Sequence, residues 1–176
     1  MNILLIIADQ WRGECLSSLG HPLVKTPHLD ALAADGVTFK RHYGQATPCG
    51  PSRACLYTGT YLHNNRSVLN GTPLDARFTN VALEARKVGY KPALFGYTDV
   101  TADPRQYASG DYVLTNYEAV LPGMAPVVHM NSDGKPWFAY LKSKGYDIPS
   151  KPKDIFRPVP TRTGMEKKGK TFAPSV

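Results

Sequence analysis

The sequence predicts an α/β fold with a mainly parallel sheet flanked by helices. Three observations carry that expectation. Asn2 to Ala8 is an unbroken apolar run, the pattern of a strand covered on both faces. Helix-like and strand-like segments then alternate along the first hundred residues. Proline and glycine sit where such elements begin and end, with Pro27 and Gly36 around one segment and Pro51 opening another.

Taken in order, the first strand ends abruptly at Asp9-Gln10-Trp11-Arg12. A helix follows from Thr26 to Gly36, with Thr26 as cap, Pro27 in the first turn and Gly36 as a left-handed stop. Leu29, Leu32 and Ala33 are its expected buried stripe, and Val37 to His42 reads as a second short strand. Pro51 marks the start of another helix. A third runs from about Asn80 to Val88, capped by Thr79 and stopped by Gly89. It leads into a strand over Lys91 to Phe95, with Pro92 near its start. Beyond Asp111 the pattern thins into turn-rich sequence with one short helix at Pro136 to Lys144. The expected division is therefore an α/β core over residues 1–110, a turn-rich excursion over 111–150, and a basic, proline-containing extended segment over 151–176.

Composition narrows the class of protein. Of 176 residues, 42% are hydrophobic and 20% charged, a globular balance. Three cysteines, Cys15, Cys49 and Cys55, make no disulfide framework, and neither cysteines nor histidines show zinc spacing. No apolar run reaches the roughly 20 residues that span a bilayer, and no basic leader precedes the first strand. A cytoplasmic protein without membrane attachment is expected. The net charge of +7 is concentrated at the end, where Lys151, Lys153, Arg157, Arg162, Lys167, Lys168 and Lys170 face only Asp154 and Glu166. A basic arm of this kind attracts phosphate backbones, but it lacks stacking aromatics, so the solvated-segment reading is preferred over nucleic-acid binding.

Two places carry candidate chemistry. In open α/β sheets, ligands collect at the carboxyl ends of strands, which puts Asp9 at that rim. Its carboxylate suits a hard divalent cation; it equally suits capping of the following turn. Gln10 adds a neutral oxygen or a hydrogen bond to a substrate. The second place is Cys49, at the start of the helix that Pro51 opens, where amides point outward and an anion or thiolate is favoured. Arg53 returns four residues later to the same side and matches an oxyanion. The plain alternative is a small buried Cys beside a surface Arg.

The segment Cys49-Gly50-Pro51-Ser52-Arg53-Ala54, continued by Leu56-Tyr57-Thr58-Gly59, resembles the C-x-P-S-R-A-x-L-x-T-G signature of type I sulfatases, within the alkaline phosphatase superfamily. Asp9 after the first strand, Thr26-Pro27-His28-Leu29-Asp30 and Gly36-Val37-Thr38-Phe39 are similar to the same family's N-terminal part. The resemblance covers about Asn2 to Asp99. It implies an incomplete sulfatase/alkaline-phosphatase-like fold and a hydrolase of sulfate esters, phosphodiesters or phosphonate monoesters. It further implies that Cys49 is converted to formylglycine by a formylglycine-generating or equivalent cysteine-oxidising enzyme. The hydrated aldehyde offers one hydroxyl for attack and a second to release the product. Asp9 and Cys49 would then bind a divalent metal, calcium or manganese, and Arg53 would support the nucleophile.

Where common sulfatases carry paired carboxylates, this chain has Asp9-Gln10; where they carry Gly-Lys-Trp-His, it has Gly96-Tyr97-Thr98-Asp99. Asp9-Gln10, Pro48-Cys49-Gly50-Pro51, Asn70 and Gly96-Tyr97-Thr98 are closer to the phosphonate monoester hydrolase and phosphodiesterase branch. That branch implies substrate-binding roles for Gln10, Asn70 and Tyr97. Its Thr two places after the Tyr is Asp99 here, a carboxylate that would repel an anionic ester unless it faces away or is protonated. The resemblance also implies further metal ligands, an Asp-His pair in a second half; the sequence contains no Asp-His dipeptide. The chain is thus expected to be an N-terminal portion, inactive alone, with a homo-oligomer left open. The competing reading is a non-catalytic anion- or partner-binding module derived from a sulfatase half.

Overall fold

The computed structural model describes residues 1–116, 118–130, 134–151 and 154. The described residues form five α-helices and a parallel pair of strands, and α2 and α4 supply part of one small buried core. Helix α1 spans Pro27–Asp35, α2 Cys49–Thr58, α3 Leu62–Asn65 and α4 Val81–Lys87. Strand β1 is Ala93–Gly96, β2 is Ala125–His129 and α5 is Lys135–Ser143. The basic segment 151–176, apart from Lys151 and Asp154, lies outside the described residues.

Helices α2 and α4 pack together through Ala54, Tyr57 and Ala82, and Leu74, Val100 and Leu121 complete the buried cluster. Helix α2 stops at Gly59, which takes φ +67° and returns its N–H to the Cys55 carbonyl at 2.9 Å. Helix α4 begins where expected, but its cap is Asn80 and not Thr79. The Asn80 side chain accepts from Ala82 N at 2.9 Å and Leu83 N at 3.1 Å. Thr79 instead donates to Glu84. Gly89, at φ +88°, closes the helix in the left-handed conformation that glycine tolerates best.

Strand β1 runs parallel to β2, with Ala93 opposite Ala125 and Gly96 opposite His129. The ladder shifts register between Leu94 and Phe95. β2 has no strand signature in the sequence because Pro126 lacks an amide to donate and four of its five residues are exposed. The turn-rich stretch around it nevertheless supplies Leu121, which is fully buried, and Ala119, which bridges to Val100. Helix α5 falls within one residue of its expected start and end.

Three expectations fail. Residues 2–8 form no strand, and Ile3 and Leu4 are 72% and 84% exposed. A strand with both faces apolar needs hydrogen-bonded neighbours and covering helices, and among the described residues nothing pairs with this run. Val37 to His42 is likewise irregular and exposed for the same reason. Helix α1 forms, yet Leu29 and Leu32 are exposed and Gly36 is extended rather than left-handed. The helix is held by polar contacts at its start: Thr26 Oγ1 accepts from Ser17 N at 3.0 Å and donates to Asp30 Oδ1 at 3.0 Å. The Ser17 hydroxyl, chiefly, holds the Asp30 carboxyl below its ordinary range.

Candidate active site

The site is built on the first two turns of α2. Cys49 is the first helical residue and is half-buried, while Gly50 N–H donates to Asn70 Oδ1 at 2.8 Å. The same Asn70 offers its Nδ2 to Cys49 Sγ at 3.5 Å. One amide side chain therefore fixes both the helix start and the thiol. This approach demands glycine at position 50, because a Cβ there would stand 2.9 Å from Asn70 Oδ1 and 3.3 Å from its Cα.

One turn deeper, Arg53 has a side chain only 7% exposed. Its Nη2 lies 3.2 Å from Asp9 Oδ1 and its Nη1 donates to the Tyr97 carbonyl at 3.4 Å. The guanidinium also stands 4.9 Å from the centre of the Tyr97 ring, a cation–π arrangement. Burial disfavours the Arg53 charge, but the surrounding groups Tyr57, Tyr97, Asp99 and Asp9 outweigh it and raise the Arg53 pKa. Burial also pushes the Tyr57 hydroxyl up, against the opposing pull of Arg53. Tyr97 is raised by burial and by the Asp9 charge.

The structure thus brings together Asp9, Cys49, Arg53, Asn70 and Tyr97 through two linked sets of contacts. Gln10 is next to Asp9 with an exposed side chain, and its backbone takes the left-handed conformation at φ 55°. The plain reading of position 49 is reversed, since Arg53 is the buried partner and Cys49 the more accessible one. Sequence reasoning passed over Tyr57. It lies four residues beyond Arg53, as Arg53 lies four beyond Cys49, so the spacing 49, 53, 57 already marks one helix face. It also left open where Asp99 faces. Asp99 is 4% exposed, in a left-handed backbone at φ 54°, next to Thr98, whose hydroxyl donates to the Ala119 carbonyl.

Asp9 is a hard-oxygen donor suited to a divalent cation, and Cys49 lies on the same side of the Arg53 guanidinium's helix. Among the described residues no group of three or more His, Cys, Asp or Glu gathers that could hold a metal ion. Asp9 contributes one such oxygen, which Arg53 Nη2 also approaches at 3.2 Å. No helix among the described residues is long and apolar enough to cross a membrane.

The described residues form an α/β arrangement with a parallel strand pair, a cysteine at a helix start and a buried arginine one turn further on. Residues 1–155 match the family model described as Sulfatase, and the chain belongs to that family. It is 39% identical over 162 residues to the multifunctional alkaline phosphatase superfamily protein PehA of Trinickia caryophylli, a match covering 89% of this chain and 32% of PehA. The phosphonate monoester hydrolase of Agrobacterium radiobacter superposes with a TM-score of 0.77 at 52% identity, over 86% of this chain and 30% of that one. SpPMH, a phosphonate monoester hydrolase from Silicibacter pomeroyi, gives a TM-score of 0.80 at 45% identity, over 93% and 32%. The chain therefore spans about a third of the length of these relatives.

Proposed function

We propose that this chain carries the nucleophile-bearing part of a formylglycine-dependent hydrolase that cleaves small anionic esters, with phosphonate monoesters and phosphodiesters preferred over sulfate esters. The observation that carries the reading is Cys49 at the start of α2, held by Asn70 above a buried Arg53 that reaches Asp9. The preference for phosphorus esters is supported by the likeness to PehA and to two phosphonate monoester hydrolases.

In this reading Cys49, oxidised by a formylglycine-generating or equivalent enzyme, provides the attacking oxygen. Asp9 and residue 49 hold a divalent cation, calcium or manganese, which when bound supplies Lewis-acid polarisation of the ester. The protein's own residues do the rest. Asn70 fixes residue 49 at the positive end of α2, where the helix dipole favours an anion. Arg53, seated in a buried position, holds the Asp9 carboxylate through its 3.2 Å contact and so aims it at the rim. Tyr97 and Gln10 flank the space in which the ester's substituent would sit. Positioning of this kind contributes to catalysis by presenting fixed donors where charge develops.

Hydrolysis of an aryl phosphonate monoester, an aryl phosphodiester and an aryl sulfate by the complete protein that carries this chain, and by its Cys49→Ala variant, tests the proposal. Turnover of the phosphorus esters that disappears in Cys49→Ala is the expected result. Equal turnover by both proteins would overturn it, and anion binding without turnover would favour the binding-module reading.

A further inference from the structure

Two of the contacts that seat the Arg53 guanidinium come from one residue. The Tyr97 carbonyl accepts from Arg53 Nη1 at 3.4 Å, and the centre of the Tyr97 ring lies 4.9 Å from the guanidinium carbon. A guanidinium over an aromatic face is attracted by the ring's quadrupole, and more strongly where water is kept away. Water is kept away here, since the Arg53 side chain is buried and Tyr97 is half-buried.

The two residues that Arg53 joins differ in how firmly they are held. Tyr97 directly follows β1. On one side of it the Gly96 carbonyl accepts from Met130 N at 2.8 Å, and on the other the fully buried Thr98 donates to the Ala119 carbonyl. Asp9 instead closes an exposed segment that belongs to no strand or helix among the described residues. Its tie to α2 is the 3.2 Å contact with Arg53 Nη2. Tyr97 is therefore the fixed partner, and Asp9 is the one that is placed.

We infer that Tyr97 is a positioning residue: the face of its ring holds the Arg53 guanidinium in its seat, and Arg53 in turn sets the place of Asp9. The inference deepens the proposed function and rests on it for the tasks of Asp9 and of the Tyr97 hydroxyl. One side chain then does two separable things. Its ring face serves Arg53, and its hydroxyl is left for the ester. An apolar side chain without a ring would cover Arg53 but not attract it.

Arginine-selective labelling with phenylglyoxal, mapped by mass spectrometry in the complete protein that carries this chain, tests this without any turnover. Tyr97→Phe removes the hydroxyl and keeps the ring face, so Arg53 should label within about twofold of the wild-type rate. Tyr97→Leu keeps the backbone carbonyl and loses the face. Arg53 should then label about fivefold faster or more, the scale of a desolvated cation–π contact. Tyr97→trifluoro-Phe nearly preserves the shape of Phe while draining charge from the ring face, so Arg53 should label faster than in Tyr97→Phe. Arg105, which pairs with Asp75 and Asp103, should label at the wild-type rate in all of them. Arg53 labelling no faster in Tyr97→trifluoro-Phe than in Tyr97→Phe overturns the inference, and so does acceleration that Arg105 shares. The comparison of the two ring variants decides the matter even where Tyr97→Leu does not fold. Because the label reads Arg53 directly, its answer is independent of the state of residue 49, whereas the proposed function stands or falls on turnover by Cys49→Ala.

Discussion

Arg53 Nη2 stands 3.2 Å from Asp9 Oδ1, although 44 positions separate the two residues in the chain. The pair joins the exposed N-terminal segment to helix α2, and among the described residues no strand or helix does so. Replacing Arg53 by Ala is expected to cost about 3 kcal/mol, because it empties a buried seat and leaves Asp9 and the Tyr97 carbonyl without their donor. Arg53→Lys should recover only part of this, since an ammonium cannot serve Asp9 and the Tyr97 carbonyl in a planar fork. Denaturant midpoints of the three proteins check the order.

Gly50 and Asn70 are in closer contact than any other residue could allow at position 50. Gly50→Ala should therefore displace Asn70 and lose the 2.8 Å bond to Gly50 N, at a cost of about 1–3 kcal/mol. Thermal melting would show the loss. The variant should also lower turnover of a phosphonate monoester, because Asn70 no longer meets residue 49.

Asn70→Asp separates the two tasks of that side chain. A carboxylate can still accept from Gly50 N–H, so stability should change by less than about 1 kcal/mol. The donor toward residue 49 is gone, and a negative charge is added near an anionic ester, so turnover should fall steeply. A melting midpoint near wild type combined with lost activity is the expected pairing.

Asp103 gives a pH signature away from the site. Hydrogen bonds from Arg105, first, and from Ala76 N hold its carboxyl well below the ordinary carboxylate range. A depressed folded-state pKa contributes stability that is fully present above the unfolded value near 3.8 and is lost as pH falls through the folded value. Asp103→Asn should therefore melt below wild type at neutral pH, with the gap closing only in strong acid. Melting midpoints of both proteins from pH 7 downward measure it.

The cap of α4 can be assigned by substitution. Asn80→Ala removes the acceptor for Ala82 N and Leu83 N and should cost about 1 kcal/mol. Thr79→Ala loses only an exposed contact to Glu84 and should cost less. Chemical denaturation of the two variants distinguishes them.

What the sequence made legible is what local chemistry decides. Pro51 and Gly89 punctuate their helices as expected, and the spacing of Cys49 and Arg53 placed both on one face of α2. The sulfatase signature led to the family itself. Apolar character alone did not decide residues 2–8, because a hydrophobic run records a demand for covering surface without saying what supplies it. β2 was hidden by Pro126 and by its exposed, irregular surroundings. Asp99 was unreadable for a different reason. Aspartate is ordinarily a surface or turn residue, and nothing in the local pattern around Asp99 marks it as buried.

The central claim is that residue 49 is the nucleophile in oxidised form, and the mass of its tryptic peptide tests that most directly. The complete protein that carries this chain should be produced alongside a formylglycine-generating enzyme, digested, and treated with a carbonyl-reactive hydrazide. The account predicts a peptide that has lost the thiol, carries an aldehyde at position 49 and captures the hydrazide, in protein that hydrolyses a phosphonate monoester. An intact Cys49 thiol in protein that hydrolyses the same ester would contradict it.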